Sequence, residues 1–197
     1  MTLAKGRLFF VALLALATGA CQSDDTRPGP RFVSTAQDRG VAPAALSSQD
    51  QSSRYFIEFR SRYALSYGHA YVIFGRANQA GAMIDPEVAG LHPASNSAVP
   101  YVLGHFVPVP AETGWSDGDL EEAYRSASWR VMLTEAQYNE VVADIRKLQT
   151  RSRVWNATVY NCNAFVGEIA RSMGYKAPAI WLRPQEFITQ LREMNVG

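Results

Sequence analysis

Cysteine is almost absent from this chain of 197 residues, which holds two, Cys21 and Cys162. Two cysteines cannot build a disulfide framework. Histidine is as scarce, with His69, His92 and His105 alone. Neither Cys-x-x-Cys nor His-x-x-x-His occurs, so metal ligands would have to converge from scattered places, and no metal or other cofactor is expected. Charge of one sign is lacking too. The 19 Lys and Arg face 18 Asp and Glu, a formal net charge of +1, which argues against nucleic acid as a partner. The apolar run from Leu8 to Ala20 is thirteen residues long, short of the roughly 20 that a permanent bilayer-spanning helix needs. No internal repeat is present.

That run follows Lys5 and Arg7 and ends in the small residues Thr18, Gly19 and Ala20, the layout of a secretory signal. Small residues ending directly in Cys21 resemble a bacterial lipobox. The resemblance implies that residues 1–20 are removed and that Cys21 becomes a lipidated first residue, leaving Cys162 as the only free thiol. Thr18 departs from the pattern, which usually has Leu there. Gln22, standing where Asp would signal retention, resembles outer-membrane sorting. The implied place is the bacterial cell envelope, with the protein held in the outer membrane through Cys21 and facing the periplasm. Gln22 to Ser53 carries Pro28, Pro30 and Pro43 and one aromatic residue, Phe32. It has too little apolar surface to fold, so residues 21–53 read as a flexible tether reaching about 30 Å.

Residues 54–197 read as one domain. Tyr55, Ile57 and Phe59 alternate with Phe56, Glu58 and Arg60, the period of a half-buried strand. His69 to Phe74, rich in aromatic and β-branched residues, predicts a second strand. Asn78, Gln79 and Gly81 predict a turn centred near Asn78, with Ala82 to Asp85 returning antiparallel. That register places Asp85 close to Tyr71, and so near His69. Pro86 to Pro100 reads as a loop, Tyr101 to Val109 as a strand, and Ser116 to Tyr124 as a short helix. Trp129, Val131 and Leu133 alternate again. Thr134 and Gln137 have capping-box spacing, ahead of a helix striped by Tyr138, Val141, Val142, Ile145 and Leu148. Val154 to Tyr160 predicts a strand feeding a helix with Phe165, Val166, Ile169, Ala170 and Met173 on one face and Gly174 at its C′ position. A last helix is expected from Pro184, including Phe187, Ile188 and Leu191. The order predicts an α+β domain, an antiparallel sheet packed with helices.

Cys162 falls where the strand meets the helix. A cysteine there sits at the positive end of the helix dipole, beside N–H groups that favour a thiolate, and an adjacent His⁺ lowers its pKa further. Nucleophilic use then requires a base within hydrogen-bond reach. His69 is best placed, following Gly68 at the head of a strong strand. His92 reads as a loop residue and His105 as a structural strand residue. A bland alternative stands beside this one, because free cysteine is among the most buried residue types and often packs inertly. Against it, a secreted chain that keeps an unpaired thiol exposes that thiol to oxidation.

The string Tyr160-Asn161-Cys162-Asn163-Ala164-Phe165-Val166, with Tyr67-Gly68-His69-Ala70-Tyr71-Val72 before it, resembles the circularly permuted papain-like branch of the NlpC-type superfamily. That branch includes the lecithin:retinol acyltransferase-like proteins and many exported bacterial proteins. In it, as here, the histidine precedes the cysteine. The resemblance covers roughly Tyr55 to Gly174. It implies a permuted papain-like cysteine hydrolase fold, with the cysteine heading a helix packed on an antiparallel sheet. It also implies Cys162 as the nucleophile, His69 as the base, and a third polar group on the neighbouring strand that orients the imidazole. Asp85 takes that third place by hairpin register, or His105 if the strand returns later. Ala164 departs from relatives with a polar residue or histidine there, which bears on the substrate site.

The implied activity is that of an envelope-anchored cysteine hydrolase or acyltransferase acting on an amide or ester bond. A peptidoglycan peptide or an acyl substrate would be its partner at the thiol, and the membrane its partner through Cys21. The alternative is a catalytically inactive binding or structural lipoprotein of the same fold.

Overall fold

The computed structural model describes residues 54–64, 67–95 and 97–196; Cys21, the signal layout and the tether lie outside them. Six strands form a single sheet: β1 (Arg54–Arg62), β2 (His69–Ala77), β3 (Met83–Pro93), β4 (Val109–Thr113), β5 (Arg125–Leu133) and β6 (Val154–Trp155). Their order is β5-β1-β2-β3-β4-β6, and each neighbouring pair is antiparallel. The helices are α1 (Ala98–Leu103), α2 (Glu135–Arg151), α3 (Cys162–Ser172) and α4 (Pro184–Glu193), with a 3-10 turn at Glu122–Tyr124. The domain is α+β, as its patterning predicts.

Period-two alternation gives the sheet two different faces. Ile57, Phe59, Val72, Phe74, Trp129 and Val131 meet α2 through Val141 and Ile145, α3 through Phe165 and Ile169, and α4 through Phe187 and Leu191. Each such side chain contributes about 1.5–3 kcal/mol on leaving water. The opposite face carries a smaller cluster of Phe56, Tyr71, Ile73 and Ala77. Glu58 shares it, fully buried, between Arg60 at 2.6 Å and Arg130 at 2.7 Å. A carboxylate without water must be paired in this way.

Local chemistry sets the helix starts. Thr134 and Gln137 form the expected capping box on α2, Pro184 occupies the first turn of α4, and Gly174 follows α3 at φ +84°. Three segments differ from their sequence reading. Pro86 to Pro93 continues β3 instead of forming a loop, because Asp85 and Pro86 fall at a bulge opposite Gly75, where a missing N–H costs no ladder bond. Val99 to Leu103 lies in α1, started by Ser97 capping the Val99 N–H, so Tyr101 to Val109 is not a strand. Ser116 to Tyr124 is a turn held by Asp119, with only its last residues in the 3-10 helix.

Candidate active site

The two residues before β6 ends and the six after it deliver Cys162 to the sheet. β6 is only two residues long, and Asn156 then closes a tight turn, its Oδ1 accepting from the Thr158 N–H at 3.0 Å and the Val159 N–H at 3.0 Å. Asn161 follows as the N-cap of α3, its Oδ1 accepting the Ala164 N–H at 3.0 Å. The asparagines on either side of the cysteine also donate. Asn161 Nδ2 reaches Ala157 O at 2.9 Å and Ile180 O at 3.1 Å, and Asn163 Nδ2 reaches Ile180 O at 3.0 Å and Leu182 O at 2.7 Å. The Asn-Cys-Asn string therefore has a mechanical reason: it pins the 180–182 segment across the head of the helix.

The Cys162 thiol, 6% exposed, donates to Asn163 Oδ1 at 4.0 Å. The backbone N–H of Ala70, the residue after His69, approaches the same sulfur. His69 heads β2, paired with Arg62 of β1, and its ring stacks on Tyr71 with centroids 5.5 Å apart. The ring lies over Gly90 of β3, where a Cβ would stand 2.8 Å from Nε2. Only glycine leaves that space. Tyr71 pairs with Gly90, so the register carried two residues further sets His92 opposite His69; their rings are edge to face at 6.1 Å. The Nε2 atoms of both histidines are buried without a hydrogen-bond partner. Among the described residues no hydrogen bond joins the thiol to the imidazole.

Burial dominates the electrostatics. It pushes the Cys162 thiol up, against backbone N–H groups of Ala70, Asn163 and Cys162 itself and the Arg62 charge, which favour the thiolate. It pushes His69 down to about 4, opposed by Asp119 and reinforced by the charges of Arg62 and His92. The resting pair is thus a neutral thiol and a neutral imidazole. This corrects the expectation that the helix dipole and a His⁺ lower the thiol pKa: the closed site removes the water that would solvate either ion. Arg62 lies in the same row as His69, held by Asp119 at 2.6 Å and by Ser116 Oγ at 3.1 Å. Asp119 is fully buried, and its carbonyl accepts from Tyr71 Oη at 2.6 Å.

The chain matches no family model, no curated protein and no solved structure.

Neither candidate for the third polar place is at this site. Asp85 is exposed, with φ 47°, at the bulge beside Gly75, because the hairpin pairs Ala77 with Met83 and so turns near Ala80 instead of Asn78. It sits at the far end of β3 from His69. His105 is exposed in the turn after α1, its Nδ1 at 2.9 Å from Tyr101 O. The residue that does stand across from His69 is His92, which the sequence reads as loop. Its signal was the spacing to His69 through a turn centred near Ala80 and a one-residue bulge, with Gly90 two residues before it. Arg62 and Asp119 were missed as well, since nothing local marks a pair separated by 57 residues. No group of three or more metal-binding side chains is formed among the described residues. No helix among them is long and apolar enough to cross a membrane.

Proposed function

We propose that the chain is a cysteine hydrolase or acyltransferase of the permuted papain-like kind, working in the bacterial envelope from a lipid anchor on Cys21. One observation carries the reading. The sulfur at the head of α3 meets the backbone of β2 at Ala70, directly beside His69, and a second buried imidazole, His92, stands across from His69 with its Nε2 unpartnered. In this reading the His69 ring, which rests on Tyr71 and over Gly90 on the face of β2 away from α3, turns towards the sulfur and takes the Cys162 proton as that sulfur attacks a carbonyl carbon. The N–H groups of Cys162 and Asn163 hold the oxyanion, because the Asn161 side chain occupies only that of Ala164. The C–N or C–O bond then breaks, and the leaving group takes the proton from His69. Water, or a second acceptor, attacks the resulting thioester and returns the thiol. His92 packs edge to face against the His69 ring, in the place that Asp85 and His105 do not fill. Neutral resting partners suit general-base catalysis, in which the proton moves as the bond forms.

The experiment is acylation of the full chain by p-nitrophenyl acetate near neutral pH. A burst of nitrophenol stoichiometric with protein is expected, with an acetyl group on the Cys162 peptide, lost in Cys162→Ser and in His69→Ala. No burst, or a burst indifferent to His69, removes the reading and leaves the inactive binding protein of the same fold.

A further inference from the structure

Ile180, Trp181 and Leu182 form a strap across the head of α3. Ile180 O accepts from Asn161 Nδ2 at 3.1 Å and from Asn163 Nδ2 at 3.0 Å; Leu182 O accepts from Asn163 Nδ2 at 2.7 Å and from Tyr67 Oη at 3.1 Å. Asn163 is fully buried and Asn161 nearly so. The backbone on both sides of Trp181 is therefore clamped by the residues that flank the thiol, yet the indole itself is 77% exposed. A lone exposed aromatic residue on a loop needs no explanation. One whose backbone is clamped beside a nucleophile does, since an indole on a fixed backbone offers a large apolar contact with only two side-chain torsions to immobilise.

Two further features give the ligand its character. Val159, 73% exposed, lies on the neighbouring turn, which Asn161 Nδ2 ties to the same cap through Ala157 O at 2.9 Å. Neither Val154 to Gly167 nor Ala177 to Leu182 contains an Asp, Glu, Lys or Arg, and the first charge after the strap is Arg183, which acts on Tyr67.

We propose that Trp181 is a specificity-determining residue, the platform for an uncharged apolar group of the substrate next to the carbonyl that Cys162 attacks. This rests on the thiol chemistry proposed above and names the substrate class. The apolar group is either an acyl chain or a hydrophobic side chain of a peptide.

The test uses the full chain and N-methyl-, N-octyl- and N-benzylmaleimide, with the adduct read on the peptide that contains Cys162. Rates are divided by those of N-acetylcysteine, which cancels the intrinsic reactivity of each maleimide, and are compared between maleimides at one pH, which cancels the thiolate fraction of Cys162. The expected result is a preference for octyl or benzyl over methyl of roughly tenfold, as an apolar subsite gives. Trp181→Ala brings the preference to within about twofold of the free thiol, and Trp181→Phe, which keeps a ring, retains most of it. An octyl preference assigns the acyl chain, and a benzyl preference assigns the side chain. A parent with no preference, or a Trp181→Ala protein that keeps it, overturns the proposal. A protein that shows the preference without the acetyl burst keeps the platform and loses the chemistry, so the two failures are told apart.

Discussion

His69 makes the fold sensitive to acid, and the size of the effect follows from its surroundings. Burial pushes its pKa from 6.5 down to about 4; Asp119 opposes this, while Arg62 and His92 add to it. Between those values the unfolded chain binds a proton that the folded chain refuses. The stability associated with neutral His69 is therefore complete above about 6.5, shrinks as pH falls towards about 4, and changes no further below that. At 1.36 kcal/mol per unit, the gap is worth about 3 kcal/mol. The ring is 7% exposed, so solvent screens little of it. Urea unfolding of the full chain and of His69→Gln, repeated from about pH 7 to about pH 4, isolates this group from the carboxylates and the other histidines. The parent is expected to lose about 3 kcal/mol more than the variant across that range. Parallel curves for the two proteins would refute the argument, since they would mean that His69 titrates in the folded protein as it does in the unfolded one.

Two further outcomes follow from the same geometry. Gly90→Ala places a Cβ 2.8 Å from His69 Nε2 and 2.9 Å from the Tyr71 Cβ. Overpacking of this kind costs about 1–3 kcal/mol, so urea unfolding should shift by that much and the acetyl burst should fall with the displaced ring; a variant as stable as the parent would contradict it. Iodoacetamide labelling of Cys162 in the substrate-free protein should rise only above the ordinary thiol range, because burial pushes the thiol up. A midpoint below about 8.5 would show that the helix head outweighs burial after all.

The elements legible in the sequence are those whose signals are local. The Thr134–Gln137 box, Pro184 at the start of α4, Gly174 after α3 and the alternation in β1 all operate within a few residues, and each stands where its pattern put it. Cys162 at a helix head belongs with them. β3 was illegible because Pro86 and Pro93 are loop signals, and the bulge that accommodates Pro86 depends on Gly75 in another strand. That one long-range fact carried His92 with it: a turn centred two residues early assigns the wrong partner to every position of the hairpin. The Tyr101 to Val109 stretch is rich in valine and aromatics, which favours strand, but Ser97 supplies a cap and Pro100 lies within the first turn, where proline is tolerated. The protonation of the site was the least legible feature, because burial belongs to the assembled domain and to no residue by itself.

The direction of β1 has a consequence for what the thiol can reach. The strand begins at Arg54, paired with Ala77, and ends at Arg62, paired with His69. The nine residues of β1 run from Arg54 to the end of the sheet that carries the thiol, a distance of about 26 Å at 3.3 Å per residue. The thiol therefore lies at the opposite end of the sheet from Arg54, the first described residue. Under the proposed anchor on Cys21, the length of the chain before Arg54 would set how far from the anchor the thiol works, while the sheet, the helices and the two imidazoles stay as they are.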